Sequence, residues 1–232
     1  MDQPRSLVEH LEELRRRLWI CIIAVGIGSI IVYCFVPFFL RWISKPLGTL
    51  VFTSLAEPFL VSLRIAFIGG LFLASPICLY QLWAFVVVGL KAREKHWIYA
   101  FFPISLGLFL TGLAFAICIV LPFVIRFFLS FSHTNPNLQP MISLSQYLSF
   151  WSMLVFLFGL IFQIPLIILF LSITHLVKPK QMARHRGVIV VGIFIIAAIL
   201  TPPDVVSQLL MAIPMWVLFE LGLFMARFVR KN

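Results

Sequence analysis

RRRLWICIIAVGIGSIIVYCFVPFFL, residues 15–40, sets three arginines directly against 23 residues that carry no charge. A helix needs roughly 20 apolar residues to cross the ~30 Å hydrocarbon core of a bilayer, so the stretch from Leu18 reads as a membrane crossing. Five more apolar stretches follow, near 59–88, 98–126, 148–173, 187–200 and 205–226. The chain is 62% hydrophobic and 11% charged, whereas a soluble domain is about one quarter charged. The expected fold is therefore an all-α polytopic membrane protein with six transmembrane helices.

The basic residues orient it. Of 18 Lys and Arg, 14 fall in the N-terminal tail, the 89–97 loop, the 174–186 loop and the C-terminal tail. Positive residues stay inside, which makes both termini cytoplasmic. Arg41, Lys45 and Arg126 lie near helix ends on the opposite side, and Arg64, a few residues into the second stretch, reads as snorkelling to the outer interface. The length leaves room for one integral membrane domain over 1–232. It comprises an amphipathic cytoplasmic helix over 1–17, a membrane core over 18–226 and a tail over 227–232. In the first of these, Ser6 and Glu9 have capping-box spacing and Leu7, Leu11, Leu14 and Leu18 share a face, as in a helix lying along the interface.

Several classes fall away. The arginine run before an apolar stretch resembles a twin-arginine signal peptide, but the run is too long and no small-residue cleavage site follows, so it reads as a retained helix. A net charge of +10 tied to membrane flanks, without a recognition motif, sets topology and points to no nucleic acid. Walker A, GxSxG, HExxH and Rossmann patterns are missing, so the expectation is no enzyme, no cofactor and no metal. Cys21, Cys34, Cys78 and Cys118 read as small buried hydrophobes.

Proline lies in or beside nearly every crossing, at Pro37, Pro76, Pro103, Pro122, Pro165 and Pro214, so bent helices are expected. The fifth stretch, residues 187–200, reaches only about 21 Å and forms a short hairpin with the sixth, which predicts local bilayer thinning. Two longer outer loops, about 41–58 and 129–147, are long enough to cap the outer face.

Only eight carboxylates are present, and Glu13 and Glu94 both fall at the cytoplasmic boundary. Two nearby carboxylates could select two guanidinium forks, which Lys cannot imitate. From composition alone the favoured alternative is plain surface pairing, Glu13 with Arg17 and Glu94 with neighbouring bases. Within the membrane Gln163, in Phe-Gln-Ile-Pro, reads as interhelical glue. Asp204 suits an N-cap of the last crossing, and Glu220 reads as snorkelling.

The blocks HLEELRRRL at 10–18, SKPL at 44–47, EPF at 57–59, SPICLYQLWAF at 75–85, GLKAREK at 89–95 and TPPDVVSQ at 201–208 resemble the TatC family over the whole chain. The resemblance implies the receptor core of the twin-arginine translocase, which exports folded proteins across the bacterial inner membrane on the proton motive force. It implies six helices in a concave, glove-like arrangement. Its implied partners are TatA- and TatB-type single-span proteins, substrates with twin-arginine signal peptides, and further copies of this chain.

It also implies that Glu13 and Glu94 recognise the arginine pair, which reverses the pairing alternative above. Arg15 and Arg17 fall in the signal-recognition motif, and Phe85, Pro46 and Asp204 match positions important for activity. Gln163 stands where many relatives carry glutamate, so that site is no obligatory proton carrier here, and a hydrogen-bonding contact to a partner helix becomes its expected role. The rival class is a small-solute secondary transporter, for which an inverted repeat would be expected.

Overall fold

A computed structural model describes residues 7–47, 50–88, 97–133, 141–201 and 204–229. Its regular elements are helices: α1 (Leu7–Cys34), α2 (Val36–Ser44), α3 (Glu57–Leu73), α4 (Ser75–Val88), α5 (Trp97–Phe115), α6 (Leu121–His133), α7 (Leu144–Ile161), α8 (Ile164–Ile173), α9 (Pro179–Arg184), α10 (Arg186–Leu200) and α11 (Val205–Val229). Among the described residues four spans, within α1, α5–α6, α7–α8 and α11, are long and apolar enough to cross a membrane, and α3 with α4 makes a bent fifth. Large apolar side chains such as Ile30, Phe67 and Val188 point outward from these helices, as lipid contact requires.

The proline expectation resolves into several distinct outcomes. Pro76 lacks an amide for the Phe72 carbonyl and its ring crowds that carbonyl. The Ser75 hydroxyl donates to the Phe72 oxygen instead, at 2.7 Å, and α3 and α4 meet at 53°. Before Pro122 the helix relaxes through a single π turn, Ala116–Val120, in which the Leu121 amide reaches back to Ala116. Pro165 follows a break between α7 and α8, with Gln163 at the N-cap of α8. Pro103 and Pro214 sit inside helices that continue through them without interruption.

The N-terminal amphipathic stretch is not a separate element. From Leu7 the helix continues into the first crossing with no break at 17–18, and its 28 residues measure about 42 Å, longer than a ~30 Å core. Ser6 and its capping role lie outside the described residues.

The chain folds as two compact units, 1–106 with 132–153, and 107–131 with 154–232. In the first unit α1 runs antiparallel to α3 and α4. In lipid there is no hydrophobic drive between helices, so close backbone approach through small residues carries the packing. A Cβ on Gly70 would lie 2.4 Å from the Ser29 nitrogen, and one on Gly28 would lie 2.8 Å from the Gly70 oxygen. The same seam brings Cys21 into hydrogen-bond contact with Cys78, and Arg17 with Gln81.

At the α2 end of this unit the two long loops are knitted together. Val51 bridges Ser143, with Val51 N to Ile142 O at 3.1 Å and Leu144 N to Val51 O at 2.9 Å. The Tyr147 hydroxyl donates to the Ile43 carbonyl at 3.0 Å, and Trp42 meets Trp151 edge-on. In the second unit α8 packs on α11, where a Cβ on Gly222 would lie 2.8 Å from Pro165 Cα. Phe115 stacks against Phe158 and Phe162. The 15 residues of α10 reach about 22 Å, short of a full crossing as expected.

Candidate functional site: a guanidinium–carboxylate pair at the start of α1

Arg17 stands where two helices meet. On its own helix, Nε and Nη2 donate to Glu13 Oε1 at 3.2 and 2.6 Å, one turn away. On α4, Gln81 Oε1 accepts from Nη1 at 3.0 Å. Helix periodicity dictates the first contact, whereas the second depends on the α1–α4 register. The Arg17 and Glu13 side chains are 20% and 22% exposed, so the pair is shielded yet open to a ligand.

Phe85 lies one turn beyond Gln81, as Glu13 lies one turn before Arg17. The antiparallel register therefore sets Glu13 and Phe85 at one level, with the Phe85 ring half-buried. Arg15 is exposed on α1. Glu94 lies outside the described residues. Among the described residues no three of His, Cys, Asp and Glu converge as a metal site would need.

The remaining expected residues sit elsewhere. Pro46 is exposed in the turn that closes α2, near the far end of α1. Asp204 is in the second unit, where its Oδ1 accepts the Ser207 amide at 2.7 Å and caps α11, the structural role its position suggested. Gln163, also in the second unit, is only 8% exposed at the α7–α8 break.

Sequence reasoning missed two carboxylate partnerships. Glu220 is more than a snorkelling end group, because its Oε2 accepts from Arg186 Nη2 at 2.7 Å and closes the α10–α11 hairpin. Glu57 was visible only as part of EPF. It is buried in the first unit and gathers four donors: Thr53 N, Thr53 Oγ1 at 2.9 Å, Ser143 Oγ at 2.9 Å and Ser145 N at 2.8 Å. A carboxylate accepts only, so this all-donor setting suits it. The one available signal was a lone acid followed by proline at a helix start.

A family model described as "TatC: Sec-independent protein translocase protein (TatC)" matches residues 9–214. The chain belongs to the TatC family. Among TatC proteins, the Sec-independent protein translocase protein TatC of Carboxydothermus hydrogenoformans is 40% identical, with all of this chain and 96% of the relative covered. The TatC of Escherichia coli K12 is 35% identical, covering 98% of this chain and 90% of that protein. The solved "Crystal Structure of Twin Arginine Translocase Receptor- TatC" superposes with a TM-score of 0.86 at 35% identity, over 95% of this chain and 99% of that one. An all-α integral membrane component of a protein translocase follows, and the small-solute transporter reading gives way to it.

Proposed function

We infer that this chain is the receptor core of a twin-arginine translocase, and that Glu13 and Glu94 bind the paired arginines of a signal peptide. The observation that carries this is the geometry of Glu13. Its carboxylate already holds a guanidinium, Arg17, which has a second anchor in Gln81. An incoming arginine can replace Arg17 at Glu13 while Gln81 Oε1 keeps its hydrogen bond to the displaced guanidinium, which at 20% exposure is still open to solvent. A lysine ammonium is a point charge and gains less from such a site. Phe85, at the level of Glu13, offers apolar contact to the residues after the arginines, and Arg15 belongs to the same N-terminal recognition segment.

In this reading the chain is a single domain of the bacterial inner membrane, and the family match spanning both units supports that. Four long spans, the bent pair and short α10 make six crossings, with both termini cytoplasmic by the distribution of basic residues. TatA- and TatB-type partners and further copies of the chain assemble on it, and the proton motive force drives export. Short α10 supports local bilayer thinning around the α10–α11 hairpin. Pro46 and Asp204 serve by holding the α2 turn and the start of α11. Gln163 contacts a partner helix once the α7–α8 break opens, since the described conformation buries it; unchanged partner cross-linking in Gln163→Leu would refute this.

The central test is binding of an Arg-Arg signal peptide and its Lys-Lys version to the protein in nanodiscs at fixed ionic strength, repeated with Glu13→Ala and Glu94→Ala. Loss of about tenfold in affinity on changing either partner supports carboxylate–guanidinium recognition. Equal binding in every combination would mean that the apolar stretch of the peptide alone is recognised.

A further inference from the structure

Arg64 is a cation on an apolar helix, and among the described residues its hydrogen-bond partners are neutral. It lies seven residues after Glu57, about 10 Å along α3 from the helix start. Around it α3 turns Leu60, Leu63 and Phe67 outward, at 60%, 45% and 58% exposure, on a helix pair apolar enough to cross a membrane. That face meets lipid, where an uncompensated charge is costly.

The guanidinium reaches back to the first two turns of α7. Nη1 donates to Ser149 Oγ and, at 3.5 Å, to the Ser145 carbonyl, while the Ser149 hydroxyl itself donates to that carbonyl at 2.6 Å. Both acceptors are neutral, and both take the same end of the fork. Among the described residues three carboxylates are engaged elsewhere: Glu13 by Arg17, Glu220 by Arg186, and Glu57 by its four donors. Five donors on a rigid plane leave the Nε–Nη2 edge, the edge that matches two oxygens of one anion.

We propose that Arg64, braced by Ser149 and Ser145, binds the phosphate of a glycerophospholipid in the leaflet at the α2 end of the protein. Two non-bridging oxygens of a phosphodiester fit that edge side-on. Depth favours lipid over a carboxylate on a partner's transmembrane helix. The acceptors that draw the guanidinium are the second and sixth residues of α7, close to that helix's end, and Trp42 and Trp151 near the same end mark an interfacial level. A partner's carboxylate would have to be carried unpaired into an apolar span, whereas headgroup phosphates already line the interface. The bound headgroup would be drawn inward along α3, and the α3–α7 seam would be held partly by lipid.

The test is native mass spectrometry of the full-length protein in detergent, titrated with phosphatidylglycerol or with diacylglycerol of the same acyl chains. Arg64→Gln should weaken phosphatidylglycerol retention about tenfold and Arg64→Lys about threefold, while Arg41→Gln, on α2, should match the wild type. Diacylglycerol should not distinguish the variants. Should Arg64→Gln aggregate, Arg64→Lys and Ser149→Ala carry the comparison, each with weakened retention expected. Equal phosphatidylglycerol retention in wild type and Arg64 variants overturns the proposal. Displacement of the lipid by millimolar inorganic phosphate, or loss of a purified single-span partner with lipid retention unchanged, overturns it as well.

Discussion

Two carboxylates sit toward opposite ends of the first unit and are held in opposite ways. Glu57, near the α2 end, is buried and takes four donors from two loops and a helix start. Glu13, near the start of α1, is part-exposed and takes a guanidinium from its own helix, which keeps a second partner on α4. The difference is one of burial and of how many partners a loss would strand. Removing a buried acceptor strands several donors at once, so such a group is fastened for good. A part-exposed acceptor whose cation has another place to go can exchange partners, as binding requires.

The largest expected effect is therefore at Glu57. Glu57→Leu should lower the thermal midpoint in detergent by about 5 °C or more, with Glu57→Gln losing less because it keeps an acceptor oxygen. A midpoint unchanged in Glu57→Leu would break the contrast. At the other end, Glu13→Gln should leave the midpoint within about 1 °C while weakening Arg-Arg peptide binding about tenfold, measured by titration in nanodiscs. A large loss of stability there would make Glu13 structural too.

Gln81→Leu sharpens the exchange idea. Without its second anchor Arg17 clings to Glu13, so peptide affinity should fall about threefold while the protein stays folded; higher affinity would mean that Gln81 competes with the ligand. The smallest effect is expected at Arg186→Gln, which breaks a pair 47% and 31% exposed on its two sides and should cost under about 1 kcal/mol in chemical denaturation. A greater cost would show the α10–α11 hairpin to be as tightly clasped as the Glu57 end.

Much of this was legible in one dimension. Apolar runs of about 20 residues locate crossings because the bilayer supplies a length, and α10 was recognisably short for the same reason. Proline positions foretold interruptions, since a missing amide is a local fact. What each proline does was not local: Pro76 bends the chain by 53°, Pro122 is absorbed by a π turn, and Pro103 sits inside a helix that continues through it. Each outcome depends on which group takes over the orphaned carbonyl and on what packs beside it. The Glu13–Arg17 pair was legible at i, i+4, while Gln81, 64 residues from Arg17, was not.

By itself, then, the sequence determined that the protein is a helical membrane protein, where its crossings lie, which ends carry positive charge, and which rare carboxylates were candidates for recognition. These are properties of composition and of spacing along one helix, where neighbours are set by 1.5 Å per residue. Tertiary structure alone decided which carboxylate is buried among four donors and which stays part-exposed on a guanidinium with a second partner. Glu57 meets Ser143 and Ser145, and Arg17 meets Gln81, only because α1, α3, α4 and α7 pack in one register. That register rests on contacts such as Gly70 on Ser29, where the absence of a side chain lets two backbones meet.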